Sequence, residues 1–188
     1  MRSIVTGGAG FIGSHLVDRL LKFGHQVLVL DNFSTGRFEN LSHVANEIQL
    51  VECDLGEVGS WAEQFVGADW VFHLAALADI VPSIQNPDAY FRSNVDGTFN
   101  VLRACELGNI GRLVYAASSS SYGIPDVYPT PETAEIRPQY PYALTKYLGE
   151  AMILHWAKVY NIPALSLRFF NVYGPRSRTS GTYGAVFG

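Results

Sequence analysis

The stretch IVTGGAGFIGSHLVDRL, residues 4–20, places four glycines within seven residues and then continues as apolar residues at helical spacing. Glycine is unfavourable inside a helix and packs nothing in a strand, so Gly7, Gly8, Gly10 and Gly13 call for close backbone approach or unusual dihedral angles. The stretch joins a strand pattern to a helix pattern. At such a junction, backbone N–H groups and the helix N-terminus favour negative charge, so the stretch indicates a phosphate site.

The glycines fit G-x-G-x-x-G, with an overlapping G-x-x-G-x-x-G, and the next strand pattern ends in Asp31 about 20 residues later. A carboxylate at that position accepts hydrogen bonds from the ribose hydroxyls of a dinucleotide and repels a 2′-phosphate. Arg37, six residues further on, partly offsets that repulsion. The pattern therefore favours NAD and leaves NADP open.

Short β-branched runs alternate with longer helical patterns along the whole chain, which is typical of βαβ units. The strand patterns are mostly continuous apolar runs, as expected for parallel strands covered on both faces. We therefore predict an α/β protein with a doubly wound parallel sheet of the Rossmann type and helices on both faces. The predicted strands are residues 3–6, 26–31, 48–54, 69–75, 111–118 and 163–170, and the predicted helices are residues 11–24, 57–67, 87–108 and 141–160.

The 188 residues are 48% hydrophobic and 16% charged, with a formal net charge of -4, which describes one globular domain. No basic cluster favours nucleic acid or an anionic membrane, so we expect a small-molecule partner. Cys53 and Cys105 form no paired motif and are interpreted as reduced packing residues, and we expect no metal. No apolar run reaches membrane-spanning length, and the working expectation is a cytoplasmic protein.

A second constellation lies in PYALTKYLGE, residues 141–150, where Tyr142 and Lys146 share one face of a predicted helix. An ammonium group beside a phenol favours the phenolate, which can take a proton from an alcohol. A Tyr/Lys pair alone is common on helix surfaces and carries little weight. Here it follows an irregular proline-rich segment, residues 122–141, which we interpret as an ordered loop flanking a site.

The serine run 118–121 ends the strand that precedes this helix, at the edge where open α/β sheets bind ligands. Serines there also suit a turn. Because the Tyr/Lys pair is on the next helix, a hydroxyl that orients a substrate alcohol is the favoured interpretation.

These motifs resemble the extended short-chain dehydrogenases/reductases, and within them the NAD-dependent sugar-nucleotide epimerases and dehydratases. The resemblance covers nearly the whole chain. It depends on TGGAGFIGSH (6–15), DNFSTG (31–36), CDL (53–55), HLAA (73–76), SNVDGTFNVL (93–102), SSSSYG (118–123), PYALTK (141–146) and LRFFNVYGP (167–175).

The resemblance implies three sets of site residues. The catalytic set is Ser118, Tyr142 and Lys146. The NAD-binding set is Gly7, Gly10, Phe11, Ile12, Gly13, Asp31, Asn32, Ser34, Thr35, Gly36, Asp54, Leu55, Leu74, Ala75, Ala76, Asn94, Tyr142, Lys146 and Phe169. The substrate-binding set is Ser83, Ser118, Ser119, Ser120, Tyr142 and Asn171, with Asn171 meeting the substrate diphosphate. Two positions keep a structural alternative: His73 as a core histidine, and Asn94 as a capping or packing amide.

The reaction implied by the resemblance begins when Tyr142 removes the sugar 4-OH proton while hydride leaves C4 for NAD⁺, giving a 4-keto sugar. An epimerase returns the same hydride to the other face. Dehydratases and the related decarboxylase carry an acidic residue just after the catalytic Ser/Thr, where this chain has Ser119, Ser120 and Ser121. The resemblance therefore favours a 4-epimerase of a UDP-sugar, with a 4,6-dehydratase or decarboxylase as the alternative.

Family members usually continue beyond the NVYGP motif into a smaller substrate domain, whereas this sequence stops at Gly188. We expect residues 1–175 to form the NAD-binding domain with the catalytic residues, and residues 176–188 to begin a truncated substrate-binding region. A non-catalytic dinucleotide-binding module is the alternative from another function class. By analogy with the family, the helices at 87–108 and 141–160 pair two subunits in a homodimer.

Overall fold

The computed structural model describes residues 1–177. Its centre is a six-stranded, fully parallel sheet with the order β3-β2-β1-β4-β5-β6. The predicted doubly wound sheet is therefore confirmed. The strands are β1 Arg2–Thr6, β2 Gln26–Asp31, β3 Ile48–Glu52, β4 Trp70–His73, β5 Arg112–Ser118 and β6 Ala164–Phe169.

The strand order reverses next to β1, which lies between β2 and β4. Thr6 at the end of β1 is in register with Leu30 on one side and His73 on the other. The carboxyl ends of these strands therefore meet at one edge of the sheet. A crevice at such a reversal is the usual ligand site of open α/β sheets.

The helices are α1 Phe11–Lys22, α2 Ile80–Gln85, α3 Pro87–Phe91, α4 Gly97–Gly108 and α5 Pro141–Val159. The predicted helix 87–108 is present but is interrupted by a π-helical turn, Arg92–Asp96. The predicted helix near 57–67 is instead a 3-10 turn, Ser60–Phe65, and α2 was not predicted. Both are short segments in which helical periodicity is weak, and packing against neighbours decides the backbone.

The two faces of the sheet bury separate apolar cores. On one face, Ile4 and Leu113 pack in a cluster with Leu102 of α4 and Ile153 of α5. On the other face, a second cluster contains residues of β1 and β2 together with Val17 and Leu20 of α1. Helices therefore cover both faces, as predicted, and the alternation of side chains along each strand divides one apolar run between two cores.

The irregular segment between the 3-10 turn Ser119–Tyr122 and α5 is held by ion pairs. Arg168 of β6 contacts the Glu150 carboxylate of α5 at 2.6 Å and donates to the Glu132 carbonyl oxygen at 3.2 Å. Arg137 pairs with Asp126 and Glu135, both at 2.7 Å. These contacts order the loop beside the carboxyl ends of β5 and β6. In residues 1–177, no helix is long and apolar enough to cross a bilayer.

Candidate functional site

The glycine turn places bare backbone against neighbouring strands. Gly7 has φ +67°, and a Cβ there would lie 2.7 Å from the Ala75 nitrogen. At Gly13 a Cβ would overlap the carbonyl oxygen of Gly7, and at Gly8 it would lie 2.7 Å from a methyl carbon of Val29. Side chains are therefore excluded, and the turn packs against β2 and the end of β4, with Gly7 and Gly10 remaining partly exposed.

Helix α1 begins directly at this turn. Gly10 is its N-cap residue and offers no side chain to cap the first N–H groups. The first turn of any helix has N–H groups without intrahelical acceptors, and its positive dipole end attracts anions. Phe11, Ile12 and Gly13 of this turn line a cavity of about 270 Å³. This cavity is termed the glycine cleft.

Most of the predicted NAD-binding residues line the glycine cleft. They are Gly7, Gly10, Phe11, Ile12, Gly13, Asp31, Asn32, Ser34, Thr35, Asp54, Leu55, Leu74, Ala75 and Ala76. Sequence reasoning did not name further lining residues, Leu30, Cys53, Gly56, Ala78, Ser93 and Ala116. Cys53 and Ser93 belong to the motifs CDL and SNVDGTFNVL, and the others lie within two residues of predicted ones.

Asp31 links the cleft to the glycine turn. One carboxylate oxygen accepts from the Ala9 N–H at 2.9 Å, and the other accepts from the Phe33 N–H at 2.8 Å. Burial raises the pKa of Asp31, while these backbone hydrogen bonds act in the opposite direction. Gly36 lies outside the cleft lining and packs on this carboxylate, since a Cβ there would lie 2.9 Å from Asp31 Oδ1.

The far side of the glycine cleft is formed by the segment after β3. Asp54 accepts from the Gly56 N–H at 2.8 Å and pairs with Arg92 at 2.9 Å. Burial, together with the charges of Asp31 and Asp54, raises the pKa of the Cys53 thiol to about 11. Cys53 and Cys105 are free thiols.

A second cavity of about 500 Å³, termed the serine–tyrosine cavity, adjoins the glycine cleft and shares Phe11, Ile12, Leu74 and Ala76 with it. The structure brings together the whole predicted catalytic set at this cavity. Its lining includes Ser118, Ser119, Ser120, Tyr142, Lys146, Phe169 and Asn171. The end of β5 with the 3-10 turn after it, the first turns of α5, and the end of β6 with the segment after it supply these residues.

The catalytic candidates differ in their surroundings. Ser118 Oγ accepts from the Ser120 N–H at 3.1 Å, which holds the 3-10 turn after β5. The Tyr142 ring packs edge-on against Tyr90, with ring centroids 6.5 Å apart. Lys146 is only 3% exposed, and burial lowers the pKa of its ammonium to about 7. Such a shifted amine, in a cavity beside a phenol and a hydroxyl, is typical of a reactive site.

Asn94 lies in the π turn and bridges two parts of the site without lining either cavity. Its Oδ1 accepts from the Leu77 N–H at 2.8 Å, and its Nδ2 donates to the Leu77 carbonyl oxygen and to Thr145 Oγ1, both at 3.0 Å. Asn94 therefore connects the segment after β4 to the residue next to Lys146. In this structure it is a buried packing amide that supports the site.

His73 is a buried core histidine. Its ring nitrogens contact Thr6 Oγ1 at 2.7 Å and Thr98 Oγ1 at 3.0 Å. Burial, with a smaller contribution from the charge of Lys146, lowers its pKa to about 3. The ring is therefore neutral at neutral pH, and it holds β4 to β1 and α4.

Ser83, a predicted substrate contact, does not line either cavity. Its side chain is fully buried in α2, and its hydroxyl donates to the Ile80 carbonyl oxygen at 2.6 Å. Sequence reasoning also did not name the lining residues Phe170, Val172 and Tyr173 of the serine–tyrosine cavity. Their position in the sequence could have indicated them, because they flank Asn171 directly after the carboxyl end of β6. Residues 1–177 contain no group of three or more metal-binding side chains.

The doubly wound sheet, the glycine cleft with Asp31, and the adjoining Ser/Tyr/Lys cavity define a dinucleotide-binding protein of the extended short-chain dehydrogenase/reductase class. The particular family follows from comparison with known sequences. The chain belongs to the NAD-dependent epimerase/dehydratase family, whose model matches residues 3–187.

Similar proteins agree with this assignment. A UDP-glucose 4-epimerase of Mycolicibacterium smegmatis is 38% identical over 99% of this chain and 61% of its own length. The structure of the Thermus thermophilus UDP-glucose 4-epimerase with NAD is 38% identical, with a TM-score of 0.92, over 99% of this chain and 60% of that one. The structure of a UDP-N-acetylglucosamine 4-epimerase from Methanobrevibacter ruminantium with UDP-N-acetylmuramic acid is 35% identical, with a TM-score of 0.92. The match covers 98% of this chain and 59% of that one. The chain thus spans about 60% of the length of these relatives.

Proposed function

We propose that the protein containing this chain binds NAD and interconverts the C4 epimers of a UDP-sugar through a transient 4-keto sugar. UDP-glucose/UDP-galactose and their N-acetyl forms are the candidate substrates. One observation carries the proposal: Ser118, Tyr142 and Lys146 line a single cavity that adjoins the glycine cleft and also contains Asn171.

The residues of the glycine cleft fit NAD. The bare backbone of the turn and the first turn of α1 suit a pyrophosphate, as the excluded Cβ positions at Gly7 and Gly13 indicate. Asp31 lines this cleft and would accept from ribose hydroxyls, and Asp54 and Leu55 would lie along the adenine. When bound, NAD⁺ accepts the hydride from C4 of the sugar and later returns it.

The proton step falls to Tyr142. A phenol is a weak base at neutral pH, but a nearby ammonium favours its ionised form, and Lys146 lines the same cavity one helical turn away. Ser118 presents a hydroxyl that orients the sugar alcohol, and Asn171 would hold the substrate diphosphate. Positioned acid–base groups of this kind contribute about 10²–10⁴-fold to a rate.

The lining of the serine–tyrosine cavity favours epimerisation over dehydration or decarboxylation. Dehydration across C5 and C6 needs an acid and a base beyond the tyrosine. Among residues 1–177 that line this cavity, there is no Asp or Glu, and the positions after Ser118 carry hydroxyls. An epimerase needs no further acid–base pair, because the hydride removed from one face of C4 returns to the other.

The deciding experiment follows UDP-glucose and UDP-N-acetylglucosamine by NMR in deuterated water, with this chain and with any longer natural form of the protein. We expect C4 epimers without net NAD consumption, and loss of turnover in Tyr142→Phe with NAD binding retained. Deuterium at C5 or a new C6 methyl signal would instead identify a dehydratase. NAD binding by the longest natural form without any sugar turnover would identify a dinucleotide-binding module.

We further propose that α4 and α5 pair two copies in a homodimer. Apolar side chains on these helices, including Phe99, Leu107, Leu154 and Val159, are exposed. Exposed apolar side chains on two neighbouring helices can be buried against a second copy of the chain. Sedimentation equilibrium of the wild type and of Leu154→Glu tests this, and a monomeric wild type at micromolar concentration would contradict it.

A further inference from the structure

The ammonium of Lys146 lies in a place where water cannot fully solvate it. The side chain is nearly completely buried, and burial disfavours its charged form. The proposed chemistry nevertheless requires a positive charge beside Tyr142. Some part of the protein must therefore favour the ammonium and hold it at the serine–tyrosine cavity.

The ring of Tyr115 lies directly under this ammonium. Lys146 Nζ is 4.4 Å from the centroid of the Tyr115 ring, which is within the range of a cation–π contact. Tyr115 is at the middle of β5, three residues before Ser118, and its side chain is 1% exposed. A cation–π contact is strongest where both groups are removed from water, as they are here.

The orientation of the Tyr115 ring is set from several sides. Its hydroxyl approaches the Lys146 carbonyl oxygen at 3.4 Å and also bonds to Thr98. The His73 ring packs against it at a centroid distance of 5.5 Å. Gly149 leaves the space that the hydroxyl occupies, because a Cβ at that position would overlap the hydroxyl oxygen. The ring face is thus presented to Lys146 by β4, α4 and α5 together.

We propose that Tyr115 is a positioning residue, whose ring face holds the Lys146 ammonium at the wall of the serine–tyrosine cavity and favours its charged form. The inference deepens the proposed function, since Lys146 acts there on Tyr142 and on the cofactor. Tyr115 itself does not line either cavity, so it acts through Lys146.

The other titratable groups near this contact are His73, Tyr142 and Glu150. His73 is neutral because its pKa is about 3. Tyr142 is the proposed base on the same helix as Lys146. Glu150, also on α5, is paired with Arg168 of β6 at 2.6 Å, so its charge is largely compensated. The Tyr115 ring therefore remains as a favourable partner that is specific to Lys146.

The contact can be measured directly, because the sequence contains three lysines, Lys22, Lys146 and Lys158. In protein labelled with ¹³C-lysine, each Cε signal is followed against pH, and Lys22→Arg and Lys158→Arg assign the signals. We expect Tyr115→Leu to lower the Lys146 midpoint by about one pH unit, the size expected of a desolvated cation–π contact. Tyr115→Phe keeps the ring face and should stay close to the wild type.

Fluorinated phenylalanines in place of Tyr115 supply a series that barely changes shape. One, two and three fluorine atoms progressively weaken the negative ring face, so the Lys146 midpoint should fall stepwise. If Tyr115→Leu fails to fold, this series still tests whether the ring face sets the titration midpoint of Lys146. Equal midpoints across the series, or a Leu variant that titrates like the wild type, would overturn the proposal.

The titration uses neither sugar nor NAD, so it stands or falls independently of the proposed reaction. If turnover is found, the same variants should lower kcat more than they raise KM, because the ring acts on the charge of Lys146 and not on the sugar. A rise in KM alone, with kcat and the Lys146 midpoint unchanged, would show that Tyr115 has a purely structural role.

Discussion

Replacing Lys146 by methionine should make the protein without NAD more stable while abolishing the proposed epimerisation. Methionine has nearly the shape of the lysine stem and no charge to bury. Lys146 is almost completely shielded from water, and its pKa falls from 10.5 to about 7 because of burial. A group whose charge is costly in the folded state but useful in the reaction is a recognised source of conflict between stability and function.

The pKa shift gives the size and the sign of the effect. A fall from 10.5 to about 7 corresponds to about 5 kcal/mol at 1.36 kcal/mol per unit. A folded-state pKa already includes the cation–π contact with Tyr115, and pH 7 lies at that pKa, so we expect a gain slightly below this full value, about 4 kcal/mol. Between pH 7 and 10.5 the unfolded chain holds a proton that folded Lys146 has lost, so wild-type stability rises with pH. The advantage of methionine should therefore shrink toward pH 10.5.

The assay is urea unfolding of the wild type and Lys146→Met at intervals from pH 7 to pH 10, without cofactor. The difference between the two free energies of unfolding is the relevant quantity, because titration of other groups cancels in it. Lys158→Met, on an exposed turn of α5, serves as the matched control and should change stability little. A Lys146→Met protein that is less stable than the wild type at pH 7, or a difference that does not vary with pH, would refute the argument.

Three further predictions concern buried polar groups. The pKa of His73 is about 3 in the folded protein, so below about pH 6.5 the unfolded chain binds a proton that the folded chain does not. The wild type should therefore lose about 2 kcal/mol of stability between pH 7 and pH 5, and His73→Gln should not. An equally steep loss for His73→Gln in urea unfolding would contradict this. Ser121 Oγ is buried and has no hydrogen-bond partner among residues 1–177, so Ser121→Ala should be neutral or stabilise by up to about 1 kcal/mol in thermal unfolding. Ser118→Ala, which removes an acceptor used by the Ser120 N–H, should destabilise by about 1 kcal/mol in the same assay.

The elements that could be predicted are those encoded over short distances. The helix after the glycine turn, the six strands and the long helix α5 were predicted within a few residues of their observed bounds. Apolar periodicity and glycine spacing are local properties, so they are legible without a structure. The helix near 57–67 and α2 were not described correctly, because segments this short owe their backbone to what they pack against.

The candidate site shows the same division. Glycine spacing and the position of Asp31 at a strand end predict a dinucleotide cleft from the sequence alone, because each signal lies within one βαβ unit. The family resemblance implies catalytic roles for Ser118, Tyr142 and Lys146. Spacing along the chain, however, says nothing about Ser83, whose hydroxyl turns inward to the Ile80 carbonyl oxygen.

What the sequence by itself determined is therefore the class of the protein, through its alternation of strands and helices, its glycine turn and its Tyr/Lys helix. Only the tertiary structure decided that the ends of β5, α5 and β6 surround one cavity, and that Tyr115 lies under the Lys146 ammonium with Gly149 leaving room for its hydroxyl. The reason is physical. Local spacing sets which backbone forms, whereas charge burial and ring contacts depend on residues that are brought together only when the sheet and helices pack.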